Sequence, residues 1–124
     1  MDIVKVVRPE CVRAGLSPQN KAEALREIAV LAARSQSIPD TAAEEIEAGL
    51  REREDVGSTG FGKGIAIPHC RLEKARGFVV GAVSVPDGVE FDSLDDEKVR
   101  LIVFIVGPAR ESSEHIRVLS MISR

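Results

Sequence analysis

A chain of 124 residues with 44% hydrophobic side chains is the size of one ordinary domain and has enough apolar material for a core. Its formal charge of -3, with no Trp or Tyr and only four Phe, provides neither the electrostatic drive nor the stacking platforms of a nucleic-acid binder. The longest apolar run, residues 101–106, is far too short to cross a bilayer, and the opening Met-Asp-Ile-Val-Lys has no signal-peptide pattern, so a cytoplasmic protein without membrane insertion is expected.

Residues 2–7 read as a first strand. Ser17-Pro18 then offers an N-cap followed by proline at the first helical position, and Asn20 with Glu23 offers a second capping pair. The spacing predicts a helix over about residues 18–37, with Ala22, Leu25, Ile28, Ala29 and Ala32 on its inner face and Lys21, Arg26, Glu27 and Arg34 in solvent. Pro39 interrupts it, and Asp40 or Thr41 can cap a second helix through about Arg53. In that helix Ile46 and Leu50 face inward and the charges face outward.

A glycine-rich run follows, Gly57-Ser58-Thr59-Gly60-Phe61-Gly62-Lys63-Gly64, leading through Ile65-Ala66-Ile67-Pro68 into His69, one of two histidines in the chain. Residues 64–67, 78–85 and 99–106 are rich in Val, Ile and Phe and read as strands, with Asp87-Gly88 marking a turn between the last two. The last run is apolar almost throughout, which predicts a central strand covered on both faces. Ser112 and Ser113 can cap a final helix carrying His115, Ile116, Leu119 and Ile122. The expected architecture is a single α/β domain over residues 1–124, a sheet between helices in three layers. The sequence ends at Arg124 inside the last predicted helix, so a truncated domain is expected. Cys11 and Cys70 form no CxxC pair, and reduced thiols are expected in place of a disulfide or a metal site.

Three readings of the glycine run compete. Gly57 to Lys63 spells G-x-x-x-x-G-K, but Gly64 stands where a nucleotide-binding loop has Ser or Thr, a helix precedes instead of a strand, and Pro68 opposes helical continuation. Alternatively the glycines only make turns and His69 is an ordinary polar residue at a strand end. In the third reading His69 is a nucleophile toward phosphorus: neutral imidazole keeps one nitrogen free, and a hydrogen bond to the other fixes the tautomer. The transferring oxygens then need positive charge and donors, for which Arg53, Ser58, Thr59, Arg71 and His115 are the candidates. Each has a plain structural alternative, as surface charge or as a loop hydrogen bond.

The string Arg53-Glu54-x-x-Gly57-Ser58-Thr59-Gly60-x-Gly62-x-Gly64-Ile65-Ala66-Ile67-Pro68-His69-x-Arg71, followed by His115-x-x-x-Leu119-x-x-Ile122-Ser123, resembles the fructose/mannitol-type enzyme IIA domain of the bacterial phosphoenolpyruvate-dependent phosphotransferase system. The helix beginning Asn20-Lys21-Ala22-Glu23 fits its N-terminal part, so the resemblance spans nearly the whole chain. It implies an α/β fold with a mixed central sheet flanked by helices on both sides. It also implies that His69 accepts phosphate from the histidine phosphocarrier protein HPr and passes it to a cysteine of enzyme IIB for sugar uptake, with no cofactor or metal. His115 would assist and Arg53 would support the phosphoryl group; Ser58, Thr59 and Arg71, candidates from the residues themselves, are expected to bind phosphate. The alternative is the nitrogen-related regulatory branch, in which the phosphorylation state controls binding to target proteins. Position 70 is commonly glycine in this family and is Cys70 here, for which passive packing is expected.

Overall fold

A computed structural model describes residues 7–35, 43–73, 75 and 77–108. Strand β1 (Val7–Arg13) is followed by helices α1 (Lys21–Ala32) and α2 (Ala43–Val56), then by strands β2 (Gly60–Gly62), β3 (Ile65–Ala66), β4 (His69–Leu72), β5 (Val79–Val89) and β6 (Val99–Pro108). The six strands form one mixed sheet in the order β1-β5-β6-β3-β2, with β4 also paired to β6. Strands β1 and β5 are parallel, β5 and β6 antiparallel, and both β3 and β4 run parallel to β6. The apolar run expected at the centre is there, since β6 is bonded along both edges. This is the expected α/β class with a mixed sheet. The final helix and His115 lie outside the described residues, as do the expected strand over residues 2–6 and the caps at Asp40 and Thr41.

Helix α1 starts later than predicted, because its cap is Asn20 and not Ser17. The Asn20 side chain accepts from the Glu23 amide at 2.8 Å, satisfying one of the first-turn N–H groups that have no helical partner. Leu25, Ile28, Ala29 and Ala32 are buried as the period requires, while Ala22 is exposed and Ala24 takes its inner place. In α2, Ile46 and Leu50 are fully buried. Each such side chain contributes about 1.5–3 kcal/mol relative to an exposed one. The same four-residue step carries Glu54 inward, against the expectation that all the charges of this helix face solvent.

The core gathers these helical side chains with alternate residues of the sheet: Cys11 of β1, Cys70 of β4, Val79, Val83 and Val85 of β5, and Ile102, Phe104 and Val106 of β6. That alternation is the two-residue period of a strand. Val80 and Ile105 have the opposite parity and are also fully buried.

Three local departures from the expected elements bear on the site. The glycine run is not an open loop but a hairpin, β2 against β3, turned by Lys63 and Gly64 with φ of 58° and 79°. Two successive positive φ values fit a turn whose twist matches the flanking strands. The Asp95 carboxylate holds this turn by accepting from the Lys63 amide at 2.8 Å and the Glu97 amide at 3.0 Å, bonds that favour the ionised form and hold its pKa below the ordinary carboxylate range. Asp87-Gly88, expected as a turn, lies within β5, where the pairing with β6 shifts register between Ser84 and Val89. The extra residues are taken up as a bulge, with Gly88 at φ 76°. Finally, His69 does not end a strand but opens one, β4.

Candidate functional site

Residues 65–72 run alongside β6 as one parallel edge broken in the middle. Ile65 and Ala66 pair with Leu101 and Ile102, then His69 to Leu72 pair with Ile105 to Pro108. The break falls at Ile67-Pro68, where proline has no N–H to give to the ladder. The Pro68 carbonyl still accepts from the Ile105 amide at 3.0 Å, while the Ile67 amide turns away and donates to the Thr59 carbonyl at 3.1 Å. The Ile67 carbonyl is thereby left to meet the imidazole two residues on, at 2.9 Å from His69 Nδ1.

That contact decides which ring nitrogen is free. A carbonyl oxygen only accepts, so Nδ1 carries the proton and Nε2 keeps its lone pair. Arg53 Nε donates to Nε2 at 3.3 Å, and Arg53 Nη1 donates to the Gly57 carbonyl at 2.7 Å. The last turn of α2 thus delivers a guanidinium to the nitrogen that can act as a nucleophile. Burial lowers the His69 pKa below its ordinary 6.5, with Arg53 and Arg71 lowering it further and the Ile67 bond and Glu54 opposing them. These effects together favour the neutral ring, which is half-buried. Arg71, two residues further along β4, is exposed on the strand face shared with His69.

Ser58 and Thr59 are close by but engaged elsewhere. The Thr59 hydroxyl donates to Glu54 Oε2 at 2.5 Å and its amide donates to Glu54 Oε1 at 3.0 Å. The Ser58 hydroxyl donates to the Phe91 carbonyl at 2.5 Å and accepts from the Gly60 amide at 3.0 Å. The Gly57 amide donates to the Glu54 carbonyl at 3.1 Å. The run is therefore not a cradle of bare N–H groups: the amides of Gly57, Thr59 and Gly60 all have protein acceptors. Both hydroxyls expected to bind phosphate hold the loop in this structure. The element order also removes the nucleotide-loop geometry, because a helix precedes the glycines and a hairpin follows them.

Cys70 is the neighbour of His69 on the opposite face of β4. It is buried, and a Cβ placed on Gly49 of α2 would lie 3.2 Å from its Cβ and Sγ. Burial pushes its thiol up to about 12, so it is a packing group and not a reactive one. Strand β4 can approach α2 this closely because position 49 has no side chain.

Two contributors escaped the sequence analysis. Glu54 anchors Thr59 through its amide and hydroxyl, and its place on the Ile46, Leu50, Glu54 stripe was the available signal. Lys21, expected in solvent, pairs with Glu54 at 3.0 Å and lies over the Phe91 ring, 4.8 Å from its centroid. Among the described residues, no group of three or more His, Cys, Asp or Glu side chains could hold a metal ion, and no helix is long and apolar enough to cross a membrane.

The geometry can be set beside known proteins. The chain is 34% identical to the nitrogen regulatory protein of Escherichia coli (strain K12) over 125 residues, covering all of this chain and 75% of that protein. The crystal structure of nitrogen regulatory protein IIA-Ntr from Neisseria meningitidis superposes with a TM-score of 0.88 at 27% identity, covering 96% of this chain and 80% of that one. The fold is shared as well with the Escherichia coli mannitol enzyme IIA solved in complex with phosphorylated enzyme IIB, at a TM-score of 0.72 and 22% identity over 92% of this chain and 80% of that one. The model of the family described as "Phosphoenolpyruvate-dependent sugar phosphotransferase system, EIIA 2" matches residues 5–124, and the chain belongs to that family of phosphotransfer components.

Proposed function

We propose that His69 Nε2 accepts a phosphoryl group from the phosphohistidine of HPr and passes it on. The observation that carries this is the paired arrangement at the ring: Nδ1 is bonded to the Ile67 carbonyl, and the unprotonated Nε2 accepts from Arg53. As the Nε2–phosphorus bond forms, the nitrogen–phosphorus bond of the donor breaks, and the charge on the three equatorial oxygens calls for cationic donors. Arg53 is the nearest. Its guanidinium caps the lone pair at rest and turns to the phosphoryl oxygens as they arrive. Arg71, on the same strand face, adds positive charge at the rim, while Ser58 and Thr59 serve through the shape of the loop. His115 is assigned the assisting role on the family pattern alone.

The recipient of the group separates two readings. In the first it is a cysteine of an enzyme IIB, and the chain feeds sugar uptake in the cytoplasm. In the second the phosphorylation state of His69 governs binding to target proteins, which the match to nitrogen regulatory proteins over the whole chain favours. Both require His69 as acceptor. Incubation with phosphoenolpyruvate, enzyme I and HPr should place an acid-labile phosphate on the wild type and none on His69→Ala. Undiminished labelling of His69→Ala would sink the assignment. Rapid discharge of the labelled protein by a cognate enzyme IIB selects the first reading, and stable labelling in its presence selects the second.

A further inference from the structure

The buried carboxylate of Glu54 is unused by the chemistry above. A helix stripe of Ile46 and Leu50 would be completed for packing by another aliphatic side chain, whereas burying a carboxylate is costly unless it is paired and hydrogen-bonded. Here both oxygens are engaged: Oε1 takes Lys21 Nζ at 3.0 Å and the Thr59 amide at 3.0 Å, and Oε2 takes the Thr59 hydroxyl at 2.5 Å. The connection continues inward. Thr59 accepts the Ile67 amide at 3.1 Å through its carbonyl, and the Ile67 carbonyl accepts from His69 Nδ1 at 2.9 Å. Arg53 is bound to the same segment through the Gly57 carbonyl at 2.7 Å.

We infer that Glu54, with Lys21 as its counter-ion, is a positioning residue: it holds Thr59, Thr59 holds Ile67, and the Ile67 carbonyl keeps the His69 proton on Nδ1 so that Nε2 remains the nucleophile. The inference rests on the proposal that His69 accepts phosphate. Glu54 touches neither donor nor acceptor phosphate in this scheme; it acts through the loop. When Glu54 lets go of Thr59, the Ile67 carbonyl loses its orientation, and the imidazole proton is free to move to Nε2, where it blocks the lone pair. The segment that carries the Gly57 carbonyl loosens too, so the guanidinium of Arg53 loses its direction.

The test uses the full 124-residue chain with ¹⁵N-labelled histidine. Ring-nitrogen NMR reads the His69 tautomer, rapid-quench transfer from phosphorylated HPr reads the rate, and circular dichroism reads the fold. The wild type should show the Nδ1–H tautomer. Glu54→Gln keeps the volume and one acceptor but loses the charge and the second acceptor; Thr59→Val loses only the hydroxyl. Both should fold, populate the Nε2–H tautomer, and accept phosphate roughly ten- to a hundredfold more slowly, the range expected for small misplacement of reacting groups. Thr59→Ser, which keeps the hydroxyl, should restore tautomer and rate. A folded Glu54→Gln or Thr59→Val with the wild-type tautomer and rate overturns the inference, as does a Thr59→Ser no better than Thr59→Val. If Glu54→Gln does not fold, the Thr59 pair decides. A wild type that takes no phosphate at all sinks the acceptor proposal and this inference together, whereas a labelled wild type with unaltered variants sinks the inference alone.

Discussion

His69 and Cys70 are adjacent nucleophiles on one four-residue strand, and the structure gives them opposite chemical fates. Consecutive residues of a strand point to opposite faces. One face meets Arg53 at the end of α2; the other meets the flank of α2 at Gly49. Burial acts on both groups in the same sense, against the charged form. For an imidazole that means a lower pKa and a free lone pair at neutral pH, and for a thiol it means a higher pKa and no thiolate. On the proposed role of His69, the same desolvation therefore primes the imidazole and silences the thiol. Reactivity at this site depends on which form of the side chain attacks.

The comparison breaks most sharply under substitution. His69→Ala should lose phosphate labelling completely, while Cys70→Ala should keep both labelling and transfer within about twofold, since no hydrogen bond of the site runs through the thiol. A loss of transfer in a folded Cys70→Ala would make the cysteine a participant. Next in size is thiol chemistry: with its thiol pushed up to about 12 from an ordinary 9.0, Cys70 has about a thousandfold less thiolate than an exposed cysteine. Iodoacetamide at pH 8 should leave it unmodified in the native protein and alkylate it in denaturant. Rapid native alkylation would show that β4 opens from α2.

Arg53→Ala should come third, slowing transfer from HPr by roughly thirty- to a thousandfold, or about 2–4 kcal/mol, if the guanidinium stabilises the transferring oxygens as an oxyanion-type donor does. Arg53→Lys should recover only part of this, because an ammonium cannot bond both Nε2 and the Gly57 carbonyl in one fixed fork. Wild-type rates in Arg53→Ala would return that residue to the structural role of tying α2 to the loop.

How much of this was legible in the sequence varies with the range of the interaction. His69 and Arg53 stand out in the sequence, because a proline fixes the chain just before the histidine and an arginine closes a predicted helix. The α/β class and the central place of β6 follow from local period and composition. What was not legible depends on partners distant in sequence. Strand β4 exists because β6 continues past Pro68 and offers Ile105 to Pro108 as a ladder, which nothing near residue 69 announces. The hairpin turn at Lys63-Gly64 lacks the usual Asn-Gly or Asp-Gly signal, so the glycine run reads as a loop. The engagement of the Ser58 hydroxyl by the Phe91 carbonyl, 33 residues away, is likewise invisible near the glycine run. Glu54 was within reach, four residues from Leu50 on a stripe of period four. A charge on such a stripe is normally solvated, so composition alone points it outward.

The smallest effect, and the one that tests the primed state of His69 itself, is its titration. Its folded pKa lies below the ordinary 6.5, with burial the first cause and Arg53 and Arg71 adding to it. NMR titration should therefore give a midpoint under that of a free histidine. Arg53→Ala should raise the midpoint, since it removes a positive neighbour and admits water; Arg71→Ala should raise it less, being the weaker cause. Glu54→Gln should lower it, because the carboxylate opposes the shift. Stability is linked to the same proton. Between the unfolded value near 6.5 and the lower folded value the unfolded chain binds more protons, so the His69 contribution is intact above that window and is lost as pH falls through it. In His69→Ala this acid-side loss should be absent, and the difference in melting temperature between wild type and variant should change with pH only across that window. A midpoint at or above 6.5 would mean that the neutral nucleophile is not set by burial, and the contrast with Cys70 would then rest on hydrogen bonding alone.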